Sequence, residues 1–245
     1  MNHLIILFLL NHLMLNDLQA ESLQLTSTAQ QTTLIELYSS EGCHSCPPAD
    51  QFVSQFTESD ELWVRYIPMV FHVDYWDYLG WQDPYARPAY SNRQRAYRQQ
   101  GHSSGVYTPG FVVNGSEWTG FFKPWRVLPE TDANPGALQL NINGHQAVVY
   151  FSTTRTLTYH VAVLGMGLAS SVKAGENQGK QLSHDFVVLD HQFTEGTGGT
   201  TFLLPLIHRH QPDRLAVVSW VTAVDSMVPI QAVGGWLPDG LVRVL

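Results

Sequence analysis

The chemistry that this sequence offers is concentrated in a Cys-His-Ser-Cys segment at residues 43–46, because its two cysteines are the only ones among 245 residues. A single Cys-x-x-Cys pair excludes a framework of disulfides between distant segments. Two prolines follow, then apolar residues at a spacing of three to four, which together predict a helix that begins at the pair. The free N–H groups and the dipole of a helix start favour a thiolate. We therefore expect Cys43 to be a nucleophile at neutral pH, Cys46 to resolve the mixed disulfide, and protonated His44 to stabilise the thiolate further.

Other uses of the same two thiols stay open. Soft thiolate ligands select Cu(I), and a Cys-x-x-Cys pair also supplies half of a zinc site, although the sequence has no second cysteine pair to complete it. A purely structural disulfide across four residues would add little stability, since a short closed loop removes little entropy from the unfolded chain. Copper or zinc carriage by Cys43 and Cys46 and a redox-inert binding module are therefore the alternatives to thiol:disulfide exchange.

The elements around the cysteines predict a β-α-β beginning. Residues 33–38 are rich in strand-forming types and end at a turn-prone Ser-Ser-Glu-Gly segment just before the cysteines. The apolar run at residues 62–73 predicts a second strand, buried on both faces. An insertion with an aromatic cluster and a polar helix at residues 89–100 follows. A short strand at residues 111–113 then ends in an Asn-Gly hairpin turn.

Beyond residue 135 the pattern changes to short alternating apolar runs, which predict antiparallel strands. These runs lie at residues 138–142, 147–151, 157–164, 183–189, 200–206 and 215–224. Strands at such regular spacing are typical of a sandwich. The expected organisation is therefore an α/β domain at residues 21–130 and a β-rich, antiparallel β-sandwich-like domain at residues 136–245.

The order of strand, turn, Cys-x-x-Cys and helix, followed by Tyr107-Thr108-Pro109 and a strand with an Asn-Gly turn, resembles the thioredoxin superfamily. The Cys-x-x-Cys-Pro-Pro motif, residues 71–77 and the Thr-Pro step look more closely like a family of secreted bacterial proteins of unknown function with a thioredoxin-like domain. This resemblance runs from about residue 33 to the end of the chain. It implies an α/β thioredoxin-like domain, with a central mixed sheet flanked by helices and an insertion between Cys43 and Pro109.

The resemblance also implies roles for residues outside the cysteine pair. Pro109 corresponds to a cis-proline that packs opposite the dithiol, and Thr108 to the residue whose backbone pairs with bound substrate. Glu36 is the candidate for the buried acid that assists proton transfer in thioredoxins, although its spacing to Cys43 is one residue too long. Trp76, in the aromatic cluster, and His44 complete the expected substrate-binding residues, since aromatic groups with a few polar neighbours suit peptide or small-molecule contact. Plain core packing is the alternative for the aromatic cluster.

The amino terminus predicts export. Residues 4–10 form an uninterrupted apolar run that is short for a bilayer span, and Ala20 suits signal-peptide cleavage. We therefore expect a signal peptide at residues 1–20, a secreted or periplasmic protein, and no stable membrane insertion after cleavage. The formal net charge of −8, with 13 Lys plus Arg, argues against nucleic acid as a partner, because it would repel a phosphate backbone.

The function that these features predict is that of a secreted thiol:disulfide oxidoreductase that works through its own dithiol and needs no cofactor. Its partners would be a protein or small-molecule thiol or disulfide and a redox partner protein. The motif specifies neither the substrate nor the direction of electron flow, because proteins with the same motif differ in reduction potential by about 150 mV.

Overall fold

The computed structural model describes residues 22–207, 210–239 and 241. The expected signal peptide at residues 1–20 lies outside them. The described residues form fourteen β-strands and two α-helices. None of the described helices is long and apolar enough to cross a membrane.

The α-helices are α1 (Pro47–Ser54) and α2 (Pro88–Gln99), and short 3-10 helices lie at Gln55–Glu58, Asp77–Leu79 and Gly120–Phe122. The strands in chain order are β1 (Ser22–Thr26), β2 (Thr33–Ser39), β3 (Tyr66–His72), β4 (Gly110–Val113), β5 (Ser116–Glu117), β6 (Leu138–Asn143), β7 (Gln146–Phe151), β8 (Thr156–Met166), β9 (Leu168–Ser171), β10 (Gln181–His184), β11 (Val187–Thr197), β12 (Gly199–Leu203), β13 (Arg214–Ala223) and β14 (Pro229–Trp236).

Eight of the strands form one mixed sheet in the order β14-β13-β8-β11-β3-β2-β4-β5. β2 runs parallel to β3 and antiparallel to β4. β11 is the junction strand, because it pairs parallel with β3 at Val187 and Val70 and antiparallel with β8. The sheet therefore continues from the amino-terminal strands directly into the carboxyl-terminal ones.

The predicted fold class is wrong. The protein is mostly β-sheet, with α-helices of only eight and twelve residues. It is not an α/β thioredoxin-like domain flanked by helices with an antiparallel sandwich added to it. The physical reason lies in strands such as β8, whose residues are buried on both faces over most of its length. Such a strand belongs inside a wide sheet, but its hydrophobic pattern does not specify which strands lie beside it.

Individual elements lie close to their predicted positions even so. β2, α2, β6, β7 and β8 each begin and end within about two residues of the predicted bounds. The predicted hairpin turn joins β4 to β5, with φ of +48° at Asn114 and +81° at Gly115, the backbone that an Asn-Gly turn favours. The predicted boundary between residues 130 and 136 falls in a stretch without helix or strand, and the division into two domains there stays a prediction.

The mixed sheet is covered on both faces. Alternate residues of β8 belong to different apolar clusters, with Val161 and Val163 in one and Ala162 and Leu164 in the other, as the period of a strand requires. The cluster of Ala162 also contains residues of α1 and α2. The cluster of Val161 contains residues of the four-stranded sheet β1-β6-β7-β12. The sheet is therefore packed against the two helices on one face and against the smaller sheet on the other.

The parallel pair β2 and β3 sets the position of the candidate site. Ser39, the last residue of β2, lies in register with His72, the last residue of β3. Because carboxyl ends of parallel strands meet at one edge, the segments that follow both strands converge there. The cysteines follow β2, and the aromatic cluster follows β3.

Candidate functional site

The two cysteines lie in a turn between β2 and α1. The N–H of Cys43 donates to Ser40 O at 3.1 Å, and the N–H of Cys46 donates to Cys43 O at 3.2 Å. Cys46 is the N-cap residue of α1, so the helix begins one residue after the second cysteine. The two prolines at the start of α1 suit this position, because a first helical turn leaves backbone N–H groups unpaired in any case. Both cysteines are free thiols, and they are 1% and 0% exposed.

The surroundings of the two thiols shift their pKa values in opposite directions. A hydrogen bond from Cys46, together with contacts from Ser45 and Thr108, lowers the pKa of Cys43 to about 6 against the opposing effect of burial. Burial raises the pKa of Cys46 well above its ordinary value, and its hydrogen bond to Cys43 raises it further. The arrangement therefore favours one thiolate on Cys43, with the proton of the pair on Cys46.

Trp76 and Thr108 lie beside the dithiol. Trp76 Nε1 donates to Thr108 Oγ1 at 2.8 Å, and Thr108 lies close enough to both cysteines to lower the pKa of each thiol. A Cβ atom on Gly42 would lie 2.9 Å from Trp76 Cβ, so the turn approaches Trp76 as closely as only glycine permits. The Thr108–Pro109 peptide bond is cis, the conformation that the resemblance implies. The fold thus brings these residues to the cysteines, and their role in substrate binding stays a prediction.

A loop from the carboxyl-terminal half of the chain holds the cysteine turn in place. This loop, residues 172–180 between β9 and β10, places Asn177 completely buried against the turn. The Asn177 side-chain amide donates to Glu41 O at 2.8 Å and to Cys43 O at 2.9 Å. Two glycines with positive φ, Gly175 and Gly179, flank the segment that carries Asn177. The loop therefore supplies the donors that two buried carbonyl groups of the turn need.

His44 is exposed at the outer edge of the same turn. Its backbone N–H donates to Glu176 Oε2 at 2.9 Å. Lys180 Nζ lies 3.3 Å from His44 Nδ1 and donates to Asn177 Oδ1 at 2.8 Å. The side chain of His44 is thus available to a partner that approaches the cysteines from solvent.

Glu36 is buried in a separate hydrogen-bonded group. Arg93 donates to both of its carboxylate oxygens, at 2.7 and 2.9 Å. The hydroxyl groups of Tyr38 and Tyr97 donate to the same carboxylate at 2.8 and 2.7 Å. These four bonds tie Glu36 to Arg93 and to the two tyrosines. The predicted role of Glu36 in proton transfer stays a prediction.

A second group of buried titratable residues lies near the dithiol. His72 Nδ1 lies 2.7 Å from Asp83 Oδ2, and His184 Nε2 lies 3.0 Å from Glu41 Oε1. Asp50, one helical turn after Cys46, has a carboxylate oxygen 3.7 Å from His184 Nδ1. All five side chains are at most 5% exposed. These two histidines and three carboxyl groups form a buried cluster, which we call the His–carboxylate cluster. It is close to the dithiol, since the charge of Asp50 acts on Cys46.

Burial and mutual interaction move the pKa values within this cluster. Burial alone would lower the pKa of His72, but the attraction and hydrogen bond of Asp83 outweigh it and raise that pKa to about 9. Burial raises the pKa of Asp50. The pKa of Asp83 is lowered, because the interaction with His72 outweighs burial. The cluster is therefore strongly coupled electrostatically.

The sequence predictions reached only part of this region. His72 stands in a segment that carried the family resemblance, whereas Asp50 was assigned no role at the site. A signal for Asp50 was available, since a residue four positions after Cys46 lies on the same helix face. Asp83 and His184 belong to a loop and to a distant strand, and no spacing in the sequence connects them to the cysteines.

Comparisons with known proteins identify a family and a fold. Residues 34–222 match the family described as "Protein of unknown function (DUF1223)". The crystal structure of protein AGR_C_4864 from Agrobacterium tumefaciens is similar, with 22% identity and a TM-score of 0.57 over 85% of this chain and 94% of that one. HBP35 of Porphyromonas gingivalis is similar at 15% identity and a TM-score of 0.53, over 88% of this chain and 79% of that one. No curated protein matches significantly. At these identities the two structures indicate a shared fold only.

Proposed function

Since this chain belongs to the DUF1223 family, whose description assigns no function, we propose from its site that it is a thiol:disulfide oxidoreductase that acts through Cys43 and Cys46. The observation that carries the proposal is the unequal pair of thiols. The pKa of Cys43 is lowered to about 6 while that of Cys46 is raised. A thiolate is the nucleophile in thiol:disulfide exchange, and one ionised sulfur next to one protonated sulfur suits the two successive steps.

In the first step the Cys43 thiolate attacks one sulfur of a substrate disulfide. The bond between Cys43 Sγ and that sulfur forms, the substrate S–S bond breaks, and the leaving thiolate takes a proton from water. In the second step Cys46 releases its proton to solvent and its sulfur attacks Cys43 Sγ. The Cys43–Cys46 bond forms and the second substrate thiolate leaves. Two electrons have then passed from the dithiol to the substrate, and the reverse sequence oxidises a substrate dithiol.

The surroundings of the cysteines suit a protein or small-molecule thiol or disulfide as partner. His44 and Ser45 are exposed directly beside the buried sulfurs. Trp76 and Thr108 border the pair on another side. A substrate sulfur gains access to Cys43, which is 1% exposed, when the turn at His44 and Ser45 opens. A separate redox partner of the same chemistry would return the pair to its starting state.

Export is part of the same proposal. It rests on the apolar run at residues 4–10 and on the cleavage-compatible Ala20. Oxidising compartments outside the cytoplasm are where disulfides form and persist, so exchange chemistry has substrates there. A fusion of residues 1–30 to a reporter enzyme that is active only after export tests this part on its own. An inactive reporter whose fusion protein accumulates in the cytoplasm would contradict it.

The test of the exchange reaction is to trap its intermediate. A Cys46→Ser variant keeps the nucleophile and lacks the sulfur that resolves the mixed disulfide. We expect it to accumulate covalent adducts with cellular proteins or with a small disulfide, visible as a mass increase that a reductant reverses. The matched control is Cys43→Ser, which keeps Cys46 and should form about tenfold fewer adducts, because its remaining thiol has a raised pKa.

Two outcomes would contradict the proposal. One is a Cys46→Ser variant that forms no more adducts than Cys43→Ser. The other is a wild-type protein that binds one Cu(I) per chain through both thiols and neither reduces insulin nor refolds a reduced protein, which would favour the copper-carrier alternative.

A further inference from the structure

Three buried ligand atoms in the His–carboxylate cluster have no hydrogen bonds. Asp50 Oδ1, His72 Nε2 and His184 Nδ1 are each inaccessible to solvent and have no hydrogen-bond partner in the described part of the chain. One ligand atom from each of these residues lies within 4.8 Å of the others. A buried polar atom without a partner is costly, so three of them in one place call for a ligand. The 3.7 Å between Asp50 Oδ2 and His184 Nδ1 is also too long for a hydrogen bond.

In each histidine, the ring nitrogen opposite the unpaired one contacts a carboxylate, as is common in histidines that bind metal ions. His72 Nδ1 lies 2.7 Å from Asp83 Oδ2, and His184 Nε2 lies 3.0 Å from Glu41 Oε1. Because a carboxylate accepts, each of these ring nitrogens carries a proton, so the opposite nitrogen of each ring is the one left to coordinate an ion, which displaces any proton that this nitrogen carries. Such carboxylate–histidine pairs orient metal ligands and raise their basicity.

The two carboxylates behind the histidines are themselves fixed. Trp81 Nε1 donates to Glu41 Oε2 at 2.7 Å. The backbone N–H of Glu41 donates to Asp83 Oδ2 at 2.8 Å, and that of Tyr85 donates to Asp83 Oδ1 at 2.9 Å. The histidine rings are therefore held in a fixed orientation by groups that cannot turn away, which is the preorganisation that a binding site needs.

The charge of the cluster fits a cation. Glu41, Asp50 and Asp83 are three buried carboxyl groups within one small volume. In residues 22–207, 210–239 and 241, the ion-pair partners of these three groups are His72 and His184, and neither a lysine nor an arginine is among them. Buried carboxylates are usually paired with a cation or coordinate a metal. A divalent ion would offset most of this negative charge.

A path from solvent to the cluster is present. A groove of about 480 Å³ runs between the start of α1 and β10, and Asp50 and His184 both lie in its wall. The rest of the groove is lined largely by polar residues of α1 and of β10, among them Gln51, Ser54 and Gln181. An ion can therefore approach Asp50 and His184 from this groove, and because their ligand atoms are inaccessible to solvent, its entry requires a local movement of the side chains that line the groove.

We propose that Asp50, His72 and His184 bind a divalent first-row transition metal ion. Two imidazole nitrogens and one carboxylate oxygen are the ligand set of many catalytic zinc sites and of non-haem iron(II) sites. Metal bonds of about 2.0–2.2 Å place such ligands about 3.4 Å apart at a tetrahedral angle, a contraction of at most about 1.4 Å from separations that are within 4.8 Å here. Three protein ligands leave a coordination position open to water or to a substrate. The site uses neither cysteine and stands independently of the exchange reaction proposed above.

The test separates this site from binding by thiolates. The full chain with Cys43→Ser and Cys46→Ser, treated with a chelator and dialysed, is titrated with Zn²⁺ by calorimetry. We expect one equivalent per chain. We also expect an affinity at least about 100-fold lower when Asp50→Asn or His184→Gln is added, because each removes a ligand. The matched control is His145→Gln, since His145 is exposed in the β6–β7 turn and its replacement should leave the affinity unchanged.

A second measurement covers the case in which a ligand variant does not fold. Co²⁺ added to the wild-type protein should give visible absorption bands of a site with nitrogen and oxygen ligands, without the strong ultraviolet band of a cobalt–thiolate bond. A Glu41→Gln variant, which keeps all three ligands, should bind about 10- to 100-fold more weakly. Either an absence of stoichiometric Zn²⁺ binding in the cysteine-free chain or a thiolate band with Co²⁺ would overturn the proposal. So would an affinity that none of the three replacements at Asp50, His184 and Glu41 changes.

Discussion

At the scale of single residues, the sulfurs of Cys43 and Cys46 differ in the hydrogen bonds that they receive and in how deeply they are buried. Cys43 receives hydrogen bonds from Cys46 and Ser45, and Thr108 adds a third contact. Cys46 is more deeply buried, and the negative charges of Cys43 and Asp50 oppose its ionisation. The dipole of α1 is not the main cause, since Cys46 and not Cys43 caps the helix. The hydrogen bond from Cys46 to Cys43 and the burial of Cys46 therefore together select Cys43 as the nucleophile.

The pH dependence of thiolate formation follows from these shifts. The ultraviolet absorbance of the reduced protein should rise with pH in a step centred near pH 6, because the lowered pKa of Cys43 keeps its thiolate down to that value. Cys46 should ionise only at much higher pH, and Tyr75, which faces both sulfurs and whose own pKa is raised, stays neutral through the step. Cys43→Ser should abolish the step and Cys46→Ala should move it upward, because alanine lacks the main hydrogen-bond donor to Cys43. A step centred above pH 8 in the wild type would contradict this assignment.

Glu36 gives a second prediction at this scale. Glu36→Gln leaves the buried guanidinium of Arg93 without its counter-charge, and we expect a loss of about 3–5 kcal/mol in the free energy of unfolding, measured with denaturant. The matched control is Glu61→Gln, whose partner Arg65 is 45% exposed and whose loss should leave the free energy of unfolding nearly unchanged. A role in proton transfer would also change the pH profile of Cys46 ionisation in the folded variant. An equal, small effect of both replacements would contradict the structural role.

At the scale of elements, the loop between β9 and β10 and the turn between β2 and α1 form one unit. Asn177, Glu176 and Lys180 of the loop all bond to the turn. Among the described strands, β9 and β10 pair with each other alone, as a two-stranded sheet outside the large one. This hairpin contributes His184 to the His–carboxylate cluster and Asn177 to the cysteine turn. The hairpin therefore links the dithiol to the proposed metal ligands.

The loop should control access to the cysteines. Asn177→Ala removes a hydrogen bond to each of two carbonyl groups, those of Glu41 and Cys43, and among the described residues only the latter keeps a second donor, the N–H of Cys46. We expect it to lower the free energy of unfolding by about 1–3 kcal/mol. It should also speed the reaction of Cys43 with a small alkylating reagent several-fold, because the turn opens more often. The matched control is Gln178→Ala, an exposed neighbour, which should change neither quantity. Alkylation that stays as slow in Asn177→Ala as in Gln178→Ala would show that the loop does not limit access.

At the scale of the whole molecule, one sheet of eight hydrogen-bonded strands extends from β5 at one edge to β14 at the other. The junction is the pairing of β3 with β11, supported by a hydrogen bond from Val70 N–H to Phe186 O at 2.8 Å. The same junction places β10, which immediately precedes β11, next to the ends of β2 and β3. Residues more than a hundred positions apart, such as Glu41 and His184, meet for this reason.

Because the sheet is continuous, we expect its strands to unfold together when their amide hydrogens exchange with solvent. Native-state hydrogen exchange should give the same opening free energy for the slowest amides of β2 and β3 and for those of β8 and β13, since the strands share hydrogen bonds and apolar clusters. Val70→Ala, at the junction, should lower both values together. Two groups of amides that open with clearly different free energies would instead support independent domains with a boundary between residues 130 and 136.

The sequence by itself was sufficient for features that depend on near neighbours. The cysteine pair, the helix after it, the Asn-Gly turns and the period of strands such as β6, β7 and β8 all follow from backbone preferences and side-chain periodicity over a few residues. The cis bond at Thr108–Pro109 has the conformation that the family resemblance implies, which composition and spacing could not supply.

Only the tertiary structure decided which strands are neighbours, and with them the fold class and the buried cluster. A strand that is apolar on both faces is stable beside many partners, so its sequence did not reveal that β11 joins β3 to β8. Asp50, His72 and His184 come from a helix and two strands and meet only when that pairing is made. Their side chains are ordinary in the sequence, because a ligand set is defined by distances in space that no local pattern encodes.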